Sequence, residues 1–565
     1  MTNVAEIPEI VIERRVPVPM SDGLVLYADV YRPAAGRWPV MLHRTPYGRV
    51  RWIGSFVQLN PVELATHGYA VVVQDVRGRG ESPGEHRPFD EADDGYATVE
   101  WAAAQPWSDG RVGGYGSSYM AASQMQAAAS APPALAVIAP VQAPDDYFEG
   151  RTYWGGAFEL GSMLSVALGP QAGGTADRLP LEQAQPLRRK LAAGLQHLTD
   201  TAPAFPLSAW IGEGLPALEQ LAPWFFDWVR HFGDDEYWQR INVANRHSRV
   251  RACGLHITGW YDAFCAGAIR NFAGLRESAA TGQARDGQYL IVGPWAHYSQ
   301  AGLHSARVGD GWFGPAAALN LVQEQLDWFD EFFAGGPNPA RPRVRYFLMG
   351  AGQWRAADTW PPPESVPARL YLSGTDLAAQ APPDGARQFD YDPRNPVPTA
   401  GGAQLVGPMC PPGPADRRTI ESRADVLTYT GSALSEDLTI AGWVAVELDV
   451  SSSAPSTDFT ATLVDVHPDG TAMSVCEGIR RWRPTADRER IRIDLGATAI
   501  RLCAGHRVRL EISSSNFPRF DPNPNTGRLA WDEDAPVVAR QTVWHGGVTA
   551  SYLELPVLAE ADPVG

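Results

Sequence analysis

The chain has 565 residues, 44% of them hydrophobic and 20% charged, which is too long for one hydrophobic core and predicts two to four domains of an ordinary globular protein. Its 47 Lys and Arg against 64 Asp and Glu give a formal charge of −17, which excludes the basic footprint that nucleic-acid or anionic-membrane binding requires. Five widely spaced cysteines without a CxxC pair signal no disulfide framework, and neither a leader in "MTNVAEIPEIVIERR" nor a long apolar run is evident, so a cytoplasmic protein is expected.

In chain order, "LVLYADVYRP", "PVMLHRTPYG" and "YAVVVQDVRG" (24–33, 39–48 and 69–78) read as strands. The last two lack polar alternation, as strands buried on both faces of a parallel sheet do. A helix is expected over 93–107, then a short Gly-rich strand, then a helix over 117–131. Strand and helix in alternation predict an α/β doubly wound sheet. Between about Asp146 and Asn245, segments such as "LEQAQPLRRKLAAGLQHL" and "PALEQLAPWFFDWVRHF" have helical spacing without strand signal and read as an insertion. Strands resume at "RACGLHITGWYD" and "QYLIVGPWAH", followed by the amphipathic helix "AALNLVQEQLDWFDEFFAG". After "WPPPESVP" the helical patterns nearly vanish, and short β segments with turn residues between them predict a β-sandwich or jelly roll.

Chemistry is suggested first by "RVGGYGSSYMAASQMQ". A strand, a tight Gly-rich turn and a helix in immediate succession make a nucleophile elbow, which exposes a serine hydroxyl and aims helix N–H groups at a developing oxyanion. The elbow spacing needs a glycine two residues before the nucleophile; Gly116 selects Ser118 over Ser117, although Met120 stands where a second glycine is usual. Triads on this architecture run Ser, acid, His, each after a later strand. Asp262 ends one strand run and His297 ends the next. His297 would act as general base toward Ser118, and Asp262 would orient its imidazole. His43 and His256 lie within strand runs and His304 in a loop, positions less suited to that task. "DVRGRGES" has G-x-G spacing but Pro83 where a dinucleotide fingerprint needs its third glycine, so that reading is rejected. Its Arg77 and Arg79 are expected to brace the loop or pair with carboxylates.

"RTPYG", "DVRGRGES", "GYGSSY", "GWYD", "GPWAH", "FTATLVDVHPDG" and "GHRVRLEISSSNFPRFDPNPNTG", in this order from about Arg15 to Leu555, resemble the cocaine esterase family of serine hydrolases, related to X-prolyl dipeptidyl-peptidases and α-amino acid ester hydrolases. The resemblance implies an α/β-hydrolase domain (1–145 and 246–362) with an inserted helical cap (146–245), plus a C-terminal all-β jelly-roll domain (363–565). It places the family nucleophile, acid and base on Ser118, Asp262 and His297, and an oxyanion donor on the Tyr47 hydroxyl beside the Tyr119 backbone N–H. Ala121 stands for the family's second small residue. Trp154 and Phe264 are candidates for an apolar acyl or aryl pocket, with core packing the alternative for Trp154, and Gly401 to Pro412 is a candidate loop over one side of it.

The expected activity is ester hydrolysis through an acyl-enzyme on a small-molecule ester or amide, with no metal or organic cofactor. An acylase, an X-prolyl-type peptidase or an acyltransferase would use the same residues; the short run before the first strand argues against the peptidase. No nucleic-acid or membrane partner is expected, and a homodimer is left open.

Overall fold

The computed structural model describes residues 8–50, 59–200, 202–233, 236–297, 306–336, 338–407, 410–547 and 550–559. His304 lies outside them. Strands β1 (Ile10–Pro19), β2 (Val25–Pro33), β3 (Trp38–Thr45), β4 (Ala70–Asp75), β5 (Ser108–Ser117), β6 (Leu135–Val141), β7 (Cys253–Tyr261), β8 (Gln288–Ala296), β9 (Val344–Leu348) and β10 (Gln353–Ala357) form one sheet. Its order is β1-β2-β4-β3-β5-β6-β7-β8-β9-β10. From β4 to β9 the pairing is parallel, and the edges at β1, β2 and β10 are antiparallel.

The uninterrupted apolar runs have the expected cause. All six residues of β4 are buried, with Val72 in one core and Val71 and Val73 in the other, because successive side chains of a strand point to opposite faces. The Ala-rich helix Tyr119–Ala129, buried along its whole length, covers the first face. Helix Leu321–Ala334 covers the second with Leu326, Trp328 and Phe329. This is the α/β-hydrolase type of domain.

Between β6 and β7 the chain is mainly helical, including Leu160–Val166, Leu181–Gln196, Gly214–Leu221 and Trp224–Arg230. Two details differ from the spacing. The stretch expected as one helix around Trp224 breaks where Ala222 leaves helical geometry (φ −145°, ψ 57°) and Pro223 starts a new helix, since the residue before a proline is pushed out of the α region. A two-residue hairpin pairs Tyr153–Trp154 with Ala157–Phe158, too short to register as periodicity.

The C-terminal part is β-rich. An eleven-stranded sheet, built on strands such as Leu438–Ser452, Thr457–Val466, Ala472–Trp482, Glu489–Leu502 and Arg507–Ser513, encloses a core that also takes in Trp260, Val292 and Tyr346 from the first sheet. Among the described residues no helix is long and apolar enough to cross a membrane.

A buried ion cluster ties the helical segment to the β part. Arg519 donates through Nε to Glu159 Oε1 at 2.9 Å and through Nη1 to Glu477 Oε1, and the three side chains are 2%, 2% and 5% exposed. Nearby, the Phe158 N–H donates to Asp521 Oδ1 at 2.9 Å. Removing one member of such a cluster strands buried charge. Arg519→Met should therefore cost about 3–5 kcal/mol, read as a lower denaturant midpoint; an unchanged midpoint would show that the cluster does not bind the two parts together.

Candidate active site

β5 runs between β3 and β6, and at its end the Ser118 N–H donates to Val141 O at 2.9 Å. The chain then turns through Ser118 at φ 57°, ψ −119° and enters helix Tyr119–Ala129, with Ala122 N–H closing the first turn onto Ser118 O at 2.9 Å. A non-glycine residue with this backbone is strained, by about 1–3 kcal/mol, and such strain gathers at functional turns. Gly116 explains itself: a Cβ there would lie 2.6 Å from Met120 Cβ, and its φ is 133°. The glycine two residues before the serine is thus required by the helix's first turn. Ser117 is the last residue of β5 and buried, whereas Ser118 is half-exposed.

Asp262 follows β7 directly and His297 follows β8 directly. His297 Nε2 lies 2.9 Å from Ser118 Oγ, and His297 Nδ1 lies 3.1 Å from Asp262 Oδ2. The other carboxylate oxygen, Oδ1, accepts from the Phe264 backbone N–H at 2.6 Å. The Asp262 side chain is fully buried and that of His297 only 7% exposed. Close approach of β7 and β8 makes this geometry possible. A Cβ on Gly259 would stand 2.2 Å from Trp295 O, which is why the "GWYD" strand carries glycine there. The three residues selected from chain order therefore form one hydrogen-bonded chain. His43 and His256 are fully buried in strands, and burial pushes each down to about 4.

Tyr47 lies in the loop after β3, half-buried, with its ring edge-on to that of Tyr119 (centroids 6.2 Å apart, 70°). Tyr119 opens its helix, so its N–H belongs to the first turn, whose donors have no intrahelical partner. Phe264 is buried and meets the His297 ring edge to face at 5.3 Å. It also packs on Ala263 and on Leu405, so the 401–412 loop reaches the acid's neighbourhood; Leu405 N–H is held by Ser162 Oγ at 3.1 Å. Trp154 sits between the two parts of the molecule, packed with Ile479 and Phe520. With Asp262, Tyr261 and Cys265 it lines a cavity of about 30 Å³, room for about one water.

Glu91 and Arg151 escape sequence reasoning, and Arg79 meets partners that it does not name. Glu91, buried, accepts from the Tyr119 hydroxyl and lies 3.4 Å from Arg44; burial pushes its carboxyl up to about 7. Arg151 is buried with its guanidinium over the rings of Phe89 (4.3 Å) and Trp228 (4.4 Å). Arg79, expected to brace its loop or pair with carboxylates, pairs with no carboxylate among the described residues. It braces its loop by donating to Gln171 O, Gln171 Oε1 and Thr175 Oγ1 at 2.7, 2.7 and 2.9 Å. Burial lowers both arginines to about 10, with Tyr47 and Tyr119 among the groups that oppose the shift. Arg77 does pair as expected, with Asp94 and Asp22. Glu91 and Arg151 have neither periodicity nor a motif that marks them, and the partners of Arg79 are not written in "DVRGRGES", because each depends on a contact between distant segments.

Residues 22–299 match the family model of the X-Pro dipeptidyl-peptidase (S15 family), and residues 339–554 that of the X-Pro dipeptidyl-peptidase C-terminal non-catalytic domain. Over 96% of its length the chain is 36% identical to the cocaine esterase of Rhodococcus sp. (strain MB1 Bresler), covering 98% of that protein. The chain belongs to the cocaine esterase family of serine hydrolases. It is accordingly an enzyme of the esterase type. An aminopeptidase from a marine sediment Thaumarchaeota archaeon (TM-score 0.82, 21% identity, 99% of this chain and 98% of that one) and an α-amino acid ester hydrolase (TM-score 0.78, 23% identity, 99% and 98%) share its fold.

The Glu91 carboxyl supplies a pH test. Raised from 4.5 to about 7, it holds more protons folded than unfolded between those values, so folding loses stability as pH rises through that window, by about 1–3 kcal/mol. Glu91→Gln removes the loss. From pH 5 to pH 7.5 the variant's urea midpoint should gain on that of the wild type; a pH-independent difference would contradict a raised carboxyl at this position.

Proposed function

We propose that the protein hydrolyses carboxylic esters by a two-step acyl transfer in which Ser118 is the nucleophile, His297 the general base and acid, and Asp262 the residue that fixes the imidazole. The observation that carries this reading is the unbroken chain from Asp262 through His297 to Ser118, at 3.1 and 2.9 Å, with the serine at the tip of a strand-to-helix turn. The ester names of the Rhodococcus relative and of the α-amino acid ester hydrolase agree with it.

In the first step Ser118 Oγ attacks the ester carbonyl while its proton passes to His297 Nε2. The carbonyl oxygen becomes an oxyanion, received by the Tyr119 N–H and the Tyr47 hydroxyl. Collapse breaks the bond to the alcohol oxygen, which takes the proton from His297, and leaves an acyl-Ser118 ester. In the second step His297 takes a proton from water as its oxygen attacks the acyl carbon; the acid departs and Ser118 is protonated again. Asp262 keeps Nδ1 protonated, so Nε2 is free to accept. The buried cations of Arg79 and Arg151 add positive potential on the Tyr119 side, which favours the oxyanion.

Phe264, against the His297 ring, and Trp154, at the junction of the helical and β parts, are the proposed apolar contacts for the acyl group. In this reading the helices between β6 and β7 act as a cap, and the β part, through the jelly-roll arrangement implied by the family, closes the other side.

Chromogenic acyl esters and anilides test the reading. Ser118→Ala should lower kcat by at least about a thousandfold, and an equal rate in wild type and variant would overturn the nucleophile. Tyr47→Phe should lower kcat by roughly tenfold to a thousandfold, as loss of one oxyanion donor does; unchanged kcat would remove Tyr47 from the site. Anilide turnover matching ester turnover would contradict the ester reading in favour of amide cleavage.

A further inference from the structure

Far from the catalytic chain in sequence, Asp465, His467 and His506 converge at one end of the β part. Asp465 lies on strand Thr457–Val466, His467 follows that strand, and His506 precedes Arg507–Ser513, the antiparallel neighbour in which Val508 faces Asp465. His506 Nδ1 lies 2.8 Å from Asp465 Oδ1, and His467 Nε2 lies 3.3 Å from Asp465 Oδ2. The centroids of the two imidazole rings lie 4.4 Å apart, with the rings tilted by 36°. One donor atom from each residue can be chosen so that all three lie within 4.8 Å of one another.

We propose that these three side chains form a binding site for a divalent transition metal of the zinc type. The donor set is two imidazole nitrogens and one carboxylate oxygen, which suits zinc, whereas magnesium and calcium take oxygen ligands. Tetrahedral zinc with bonds of about 2.0–2.1 Å spaces its ligand atoms about 3.4 Å apart, so the two imidazole–carboxylate separations of 2.8 and 3.3 Å need only a small opening. Each imidazole would bind through the nitrogen that now faces the carboxylate, with its proton carried on the other nitrogen.

The backbone under the cluster is already fixed. The His467 N–H donates to Thr471 O at 2.8 Å, the His506 N–H to Cys503 O at 3.0 Å, and His506 O accepts from Leu434 N–H at 2.8 Å. A metal would therefore meet ligands held by two turns rather than order them itself. Asp465 is buried, 10% exposed in its side chain, while His467 is 37% and His506 17% exposed. The imidazoles are thus more exposed than the carboxylate between them, which leaves an approach for the ion, with water as the expected fourth ligand. Asp469, exposed in the turn after His467, adds negative charge beside it.

The test is zinc binding by the full chain after chelator treatment, followed by competition with a coloured chelator and by thermal denaturation. One zinc per chain is expected with a Kd in the micromolar range, together with a rise in Tm. His467→Phe keeps an aromatic ring in the turn and removes the nitrogen; it should raise the Kd at least tenfold, abolish the zinc-dependent rise in Tm and leave ester turnover without added zinc unchanged. His506→Asn supplies an independent second removal with the same expected loss. Failure of the wild type to hold zinc at about 100 µM, or equal zinc affinity in wild type and both variants, would overturn the site and leave the cluster as a hydrogen-bonded pair of turns.

Discussion

The arrangement depends on one turn. Ser118 holds a left-handed backbone between a strand fixed on both sides by parallel neighbours and a helix buried along its length. Neither can move to relieve it, because the strand is locked by ladders and the helix by packing. The same turn that strains the serine lifts its hydroxyl out of the sheet and brings the first helical N–H beside it. Gly116 is the sequence's answer to the crowding that results, since Met120 occupies the space a side chain would need. The turn therefore decides where the Ser118 hydroxyl stands, and the later strands deliver Asp262 and His297 to it.

Electrostatics around the turn are set by burial. Asp262 is fully enclosed and gives its two oxygens to different donors, His297 and the Phe264 N–H, so the carboxylate is satisfied and cannot rotate away from the imidazole. On the opposite side, Glu91, Arg44, Arg79 and Arg151 surround Tyr119 with buried charge, of which only Glu91 and Arg44 pair with each other. Such groups are costly to bury. Under the proposed mechanism the Arg79 and Arg151 cations favour an oxyanion at the residue that opens the helix, and the Glu91 carboxyl opposes them when ionised. Farther out, Arg519 with Glu159 and Glu477 holds the helical segment to the β part, and Leu405 carries that contact to Phe264.

Much of this was legible in the residues. β3 and β4 could be read because buried parallel strands are apolar runs, and the Ser118, Asp262, His297 order because strand ends mark where a loop residue can reach the sheet's edge. The choice of Ser118 over Ser117 followed from one glycine. What escaped did so for physical reasons. The two-residue hairpin at Tyr153 has no period, and the break at Pro223 hid inside a continuous apolar pattern. Glu91, Arg151 and Arg519 are polar residues whose roles arise from partners far along the chain: Glu91 and Tyr119 are 28 residues apart, Arg519 and Glu159 360. Arg79 was expected to brace its loop or meet carboxylates, and it braces the loop through an amide, a carbonyl and a hydroxyl, because the facing helix supplies Gln171 and Thr175. Charge alone did not reveal which partner the fold would bring.

The central claim is that Ser118, and no other serine, is made nucleophilic by His297. Its most direct measurement is covalent labelling with a fluorophosphonate, followed by peptide mass spectrometry of wild type and His297→Ala. The account predicts one adduct per chain, on the Ser118 side of the "GYGSSY" peptide, formed rapidly in the wild type and at least about a hundredfold more slowly without the imidazole. An adduct on Ser117 or on another serine, or labelling of Ser118 at the same rate in both proteins, would contradict it.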